Sequence, residues 1–187
     1  MPPKVKITKD EIVAATLALL RQEGEAAMNA RSIASALGCS TQPLFSNFAT
    51  MDELQGAVAK AAYAYYYGFL TQELQGGKYP PYKAYGMAYV RFAKEEKALF
   101  KALFMCDRKG RELLPSADFS ESVDMIMQAN NLSRETAELF HMEMWSLVHG
   151  IGTMLATSFL ELDDALISRM LTNVYQGLIV RHNGGNT

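Results

Sequence analysis

The sequence predicts an all-α fold, with short helices first and long ones after, on three observations. Strict alternation of apolar and polar residues, the mark of a half-buried strand, is nearly absent. Helix-opening signals recur: Thr8/Glu11 and Thr50/Glu53 have capping-box spacing, and Ser133 and Asp163 precede apolar runs of helical period. Breakers fall where those runs stop, at Gly24, Gly38, Gly76-Gly77 and Pro80-Pro81.

The elements follow in order. Behind Thr8, the residues Ile12, Ala15 and Leu19 share one face, Val13, Leu17 and Leu20 widen it, and Gly24 ends it, so a helix is expected near 9–23. Asn29 is placed to cap a short helix near 30–37, which Gly38 breaks. Ser40 is expected to cap another near 41–47, with Pro43 in its first turn, where a missing N–H costs little. A long helix is expected at 51–75. Further helices are expected near 82–94 and 97–106, then a loop around Gly110 to Ser116 with Pro115 in it. Asp118 and Glu121 open a helix to about residue 130, and two long ones follow near 133–159 and 163–181 before a frayed tail, Asn183 to Thr187. No internal repeat is visible. The division into an N-terminal part, 1–50, and a C-terminal part, 51–187, is expected at the start of or inside the long helix, which joins the two mechanically.

Composition narrows the class. In 187 residues, 49% are hydrophobic, enough for a sizeable core. No apolar run reaches the length of a membrane span, and the start of the chain lacks the apolar stretch of a signal peptide. Cys39 and Cys106 have neither metal nor redox spacing, so a cytoplasmic protein with two reduced thiols and no cofactor is expected. Charge does not advertise a nucleic-acid partner. Over residues 1–60, six basic side chains (Lys4, Lys6, Lys9, Arg21, Arg31, Lys60) face six acidic ones (Asp10, Glu11, Glu23, Glu25, Asp52, Glu53). Any affinity for DNA has to come from where polar and charged groups are placed, since global basicity is lacking.

Residues 29–54 carry the most information. Ile33, Ala34 and Leu37 make an apolar face on one short helix, and Leu44 and Phe48, four apart, anchor the next one inward. Thr41, Gln42, Phe45, Ser46 and Asn47 are then left mostly outward. A short exposed helix with polar residues at its start is what a major-groove reader requires. Gln42 suits an adenine edge, Thr41 a base or a phosphate, and Pro43 a thymine methyl. Arg31, Ser32, Ser40, Ser46 and Asn47 suit contacts that position the protein without reading sequence.

This segment resembles the DNA-binding domain of the tetracycline-repressor family of regulators. The matching positions are Ile33-Ala34, Gly38, Cys39, Ser40, the variable Thr41-Gln42-Pro43, Leu44-Phe45, Asn47-Phe48 and Asp52-Glu53-Leu54, and with the first helix the likeness covers about 55 residues. Three positions depart from the pattern: Phe45 where tyrosine is usual, Asn47 where histidine is common, and Met51 where a phosphate-contacting lysine often stands. Each departure removes or weakens a backbone contact, which leaves either a modest affinity or a compensating arm of Lys4, Lys6 and Lys9.

Beyond residue 55 the likeness is thinner. Trp145-Ser-Leu-Val-His149-Gly150 resembles a Trp-x-x-x-His-Gly signature of one branch of the family. The resemblance implies that the last two helices pair with those of a second copy in a four-helix bundle, with Gly150, Thr153, Leu171, Val174 and Leu178 at the dimer interface. It also implies a pocket for an unknown small-molecule effector among the C-terminal helices. The candidates for its lining are Tyr66, Phe69, Tyr89, Phe92, Phe104, Met105, Met142, Trp145 and His149, adaptable side chains that serve equally well as core. Tyr63, Tyr65, Tyr66 and Tyr67 circle their helix, so at least one ring must face solvent, a cavity or a partner.

The expected function is therefore that of a homodimeric transcription regulator, a repressor by resemblance, that binds a palindromic double-stranded operator under ligand control and is no enzyme. Two alternatives stand beside it. One is a helical dimerisation or protein-interaction module with weak DNA binding. The other is a metal-dependent helical-bundle enzyme using Glu138, His141 and Glu143. It would need a second Glu-x-x-His pair, and none is present, so no metal site is expected.

Overall fold

The computed structural model describes residues 7–106 and 117–184, and among them the chain is all α-helical with no strand. The arm bearing Lys4 and Lys6, the segment with Pro115, the Asp118 side chain and the tail beyond Gly184 lie outside the described residues. Nine α-helices are described: α1 (Lys9–Glu23), α2 (Ala30–Ala36), α3 (Gln42–Asn47), α4 (Met51–Gly76), α5 (Pro81–Glu95), α6 (Lys97–Phe104), α7 (Ala117–Asn130), α8 (Arg134–Ala156) and α9 (Asp164–Gly184). A short 3-10 turn, Glu25–Ala27, separates α1 from α2.

Packing divides the chain inside α4. Among the described residues, the first unit runs to Tyr67 and also takes in Glu96–Cys106; the second comprises Gly68–Glu95 and the described residues after Cys106. The first unit thus contains α1, α2, α3, the start of α4, and α6, although α6 follows α5 in sequence.

In the first unit, local chemistry sets each helix end. Thr8 Oγ1 accepts from the Glu11 N–H at 3.2 Å, and the Glu11 carboxylate accepts from the Thr8 N–H at 2.7 Å, a complete capping box. Those bonds hold the Glu11 carboxyl below its usual range, the Thr8 backbone amide chief among them. Ile12, Thr16, Leu19 and Leu20 form the buried face of α1, and the Thr16 hydroxyl satisfies itself on the Ile12 carbonyl at 2.7 Å. Asn29 caps α2 by accepting from the Ser32 N–H at 3.0 Å. At the other end of α2, Gly38 sits at φ +62°. Its N–H reaches the Ser35 carbonyl at 3.0 Å, and the Cys39 N–H reaches that of Ala34 at 2.9 Å. This pair of bonds is a Schellman ending, and the left-handed residue is the one that suits glycine.

The expected Ser40 cap is not what opens α3. The N-cap residue is Thr41, with helical backbone angles and no capping side chain, while Pro43 lies in the first turn as expected. Side-chain burial holds α3 instead: Leu44 and Phe48 are buried, as are Ile33 and Ala34 of α2. Thr50 accepts from the Glu53 N–H at 3.1 Å, but the Glu53 carboxylate returns to the Ala49 N–H at 2.7 Å rather than to Thr50, so only half of that capping box forms. Along α4, Leu54, Val58, Ala62 and Tyr66 recur every four residues and are buried, and α6 buries Leu99, Phe100 and Leu103.

In the second unit α8 packs most extensively on α5 and then on α7. The core is built from Met87, Ala88, Val90 and Phe92 of α5, Val123 and Ile126 of α7, Phe140, Val148 and Ile151 of α8, and Ile167 and Leu171 of α9. Gly86 permits close approach. A β-carbon there would stand 3.3 Å from the Leu171 side chain and 3.4 Å from that of Val148. Ser133 and Asp163 cap α8 and α9, accepting from the N–H groups of Thr136 at 3.2 Å and Leu166 at 2.7 Å. No helix of the described residues is long and apolar enough to cross a membrane.

The Asn29 cap is exposed and makes its bond at the start of a helix of only seven residues. Asn29→Ala is expected to lower stability by about 1 kcal/mol and Asn29→Gly by a few tenths. Urea denaturation of both variants measures this, and parental stability in both would show that the side-chain cap contributes nothing.

Candidate functional site

The segment singled out by sequence lies in the first unit. Gln42, Phe45 and Ser46 are exposed on α3, Thr41, Pro43 and Asn47 are half-buried, and Leu44 is the buried side of the helix. Arg31 and Ser40 are exposed and Ser32 is half-buried. The helix therefore turns one apolar side chain inward and shows a mixed polar and aromatic face outward.

Hydrogen bonding sorts those outward groups. The Ser46 hydroxyl donates to the Gln42 carbonyl at 2.9 Å. The Asn47 amide donates to the carbonyls of Ile7 at 3.2 Å and Pro43 at 2.8 Å, tying α3 to the residue ahead of α1. Both side chains were expected to donate to phosphates. As placed, their protons are spent on the backbone, and what remains is acceptor oxygen, which a phosphate does not seek. The Ser32 N–H is likewise taken, by Asn29. Lys9 is also engaged: its Nζ lies 3.1 Å from Glu53 Oε1 and 4.9 Å from the centre of the Phe48 ring. The Ala49 N–H and Lys9 together hold the Glu53 carboxyl below its usual range. Between Arg31 and Lys60 the chain has no lysine, arginine or histidine, so α3 itself is without a cation.

A polar cluster not foreseen from the sequence lies in the same unit. Arg21 of α1 donates through Nε to Glu96 at 2.9 Å, pairs with it again through Nη2, and reaches the Tyr65 hydroxyl at 3.0 Å. Its guanidinium lies 4.6 Å from the centre of the Tyr65 ring, and the Tyr65 hydroxyl donates to Glu96 at 3.2 Å. Glu96 stands at the start of α6, so this cluster joins α1, α4 and α6. The sequence could not show it, because Arg21 and Glu96 are 75 residues apart and no local pattern relates them.

The nine pocket candidates do not gather in one unit. Tyr66 and Phe104 meet edge to face in the first, with ring centres 5.3 Å apart, and Met105 there is exposed. In the second, Phe69 and Phe92 meet edge to face at 5.3 Å as core. Tyr89 is buried and its hydroxyl lies 2.8 Å from His149 Nδ1, while the Trp145 ring stacks on His149 at 4.8 Å and 11°. The Trp-x-x-x-His spacing thus places the two rings one turn apart and in parallel contact. Trp145 and Met142, expected as pocket lining, are 41% and 45% exposed.

The dimer candidates also separate. Leu171 is buried beside Gly86 and is core to its own chain, whereas Val174 is 37% exposed and Gly150, Thr153 and Leu178 are half-buried. Leu139, which the sequence reading passed over, is 54% exposed and precedes Met142 and Trp145 at steps of three along α8. That three-residue recurrence was its available signal.

The residues considered for a metal each have another partner. Glu138 pairs with Arg134 at 3.1 Å, Glu143 with His182 at 3.0 Å, and His141 Nδ1 lies 3.0 Å from the Tyr82 hydroxyl. Among the described residues no group of three histidine, cysteine or carboxylate side chains is arranged to hold a metal ion. Burial pushes His141 down to about 4 and raises Tyr82, so both are neutral at physiological pH and joined by one hydrogen bond between the phenol and Nδ1. The Phe119 ring meets His141 edge-on at 4.9 Å, which adds to the apolar surroundings.

Compared with known protein families and with curated proteins, the chain matches none.

The His141 shift has a consequence for stability. Its folded value lies below that of the unfolded chain, 6.5, so between there and about 4 the unfolded state binds the extra proton. Stability should therefore fall as the pH drops through that window, and His141→Gln should remove this part of the slope. Urea melts of both proteins at about pH 7 and about pH 5 measure it. Parallel losses would show that His141 is not the group responsible.

Proposed function

We propose that the chain is a homodimeric, sequence-specific DNA-binding transcription regulator, most simply a repressor, whose operator binding is controlled by a small ligand in the C-terminal helices. The observation that carries this proposal is the α2–α3 pair. Two short helices are joined by a left-handed glycine turn and anchored through Ile33, Ala34, Leu44 and Phe48, and the second presents Gln42 outward beside Thr41. That is the form of a helix-turn-helix reader, and the resemblance of residues 29–54 to the tetracycline-repressor family supports the same conclusion.

A second copy would supply the second reader. The exposed apolar residues Leu139, Met142 and Trp145 of α8 and Val174 and Val180 of α9 offer a face for it. A two-fold dimer places two reading helices on half-sites about 34 Å apart, or a multiple of that, which a single chain cannot reach. Ligand control would act through α4, one continuous helix that begins in the first unit and ends in the second. A small displacement of it changes half-site spacing, and both half-sites must fit at once.

One observation favours a second function, that of a helical interaction module with weak DNA binding. Ser46 and Asn47 have their donors engaged within the chain and Lys9 is paired with Glu53, so the phosphate anchors are few.

Selection of duplexes from a randomised pool separates the two. The parent should enrich a palindrome, with binding that weakens steeply as salt rises, and a Thr41→Ala/Gln42→Ala double variant should lose or alter it. Failure to enrich any duplex at low salt would favour the interaction module. In the same preparation Leu139→Glu should shift sedimentation equilibrium from dimer to monomer and weaken operator binding together. A variant that remains dimeric would remove α8 from the interface.

A further inference from the structure

We propose that Phe45 reads a thymine in the major groove through its C5 methyl group, an inference that rests on the DNA-binding function proposed above. Phe45 is 52% exposed on α3, an unusual place for a phenyl ring that the core does not use, since Leu44 and Phe48 already anchor this segment. It follows Gln42 by three residues, so the two side chains emerge on neighbouring lines of one short helix. The polar groups around it leave little else to bind with. The Ser46 proton goes to the Gln42 carbonyl, and both protons of the Asn47 amide go to Ile7 and Pro43. With no cation on α3, its outward surface comes down to one exposed amide, Gln42, and one ring.

The chemistry of the groove then selects the base. Among the groups that project from the bases into the major groove, the thymine methyl is the apolar one, set beside donors and acceptors; cytosine has only a hydrogen at that position. A phenyl ring pressed on a donor or acceptor strips it of water and returns no hydrogen bond. Over the methyl it buries apolar surface on both sides. Three residues advance about 4.5 Å along a helix, against about 3.4 Å per base pair. The thymine therefore lies about one or two pairs from the base met by Gln42. Leu44 is buried, and Pro43, the remaining apolar side chain of the helix, is half-buried, and its carbonyl holds Asn47.

The test uses operators recovered by selection, resynthesised with deoxyuridine for thymidine at one symmetric pair of positions at a time. This removes the methyl and nothing else. One methyl contact is worth about fourfold in affinity, so the symmetric pair is worth about 16-fold. The expected result is one thymine pair at which the full-length parent weakens by about that factor while Phe45→Ala weakens by less than about twofold. Thermal melting of Phe45→Ala checks its fold, and Phe45→Leu, which keeps an apolar side chain, should retain part of the methyl dependence. The proposal is overturned if the parent tolerates uridine at every position, or if Phe45→Ala loses as much as the parent. It is also overturned if the dependence disappears in Pro43→Ala and persists in Phe45→Ala. Phe45→Ala with parental operator affinity would assign the ring to a protein partner instead. Enriched operators that tolerate uridine would sink only this inference, whereas no enriched duplex would remove the DNA-binding function and this inference with it.

Discussion

A helix of six residues does not persist in water, because too few hydrogen bonds form to offset the cost of nucleating it. α3 is such a helix, and it lacks even a side-chain cap. Its existence depends on burial of Leu44 and Phe48, one within it and one just past its end. Everything proposed for the exposed face follows from that anchorage. With one side held by the core, Gln42 and Phe45 are displayed at fixed positions on the other. The Asn47 amide strengthens the arrangement by bonding to Pro43 within the helix and to Ile7 ahead of α1. A residue expected at the DNA thus works as a strut for those that remain free to reach it.

What the sequence made legible was local. The capping box at Thr8, the Asn29 and Ser133 caps and the left-handed turn at Gly38 involve residues within a few positions of one another, and their spacing alone specifies the geometry. The all-α class and the helix bounds followed from such signals and from apolar period. Ser40 misled because a serine before a helix satisfies the same pattern whether or not its hydroxyl reaches an N–H, and here the first turn starts one residue later.

The remainder depended on contacts between distant positions. Leu171 and Val174 read alike as an apolar stripe, yet one packs beside Gly86 and the other lies open, a difference decided by α5 and not by α9. Met142 and Trp145 look like pocket lining by residue type and prove exposed. His141 carried no mark of its neutral state, which comes from burial beside Tyr82 and Phe119. The outward set on α3 was read correctly as to place for Gln42, Phe45 and Ser46, but no spacing rule reveals which donors a fold will consume.

The placement of α6 bears on how the chain is made. Because the first unit is completed by residues 96–106, a ribosome that has released only α1 to α4 has not yet delivered the helix carrying Leu99, Phe100 and Leu103. The second unit's own first segment, Gly68–Glu95, must emerge before that helix arrives. The N-terminal unit is therefore not a bead that closes early on the thread. Its completion waits on more than half the chain, and until then the nascent protein holds an unfilled apolar place that chaperones, or premature partners, are free to find.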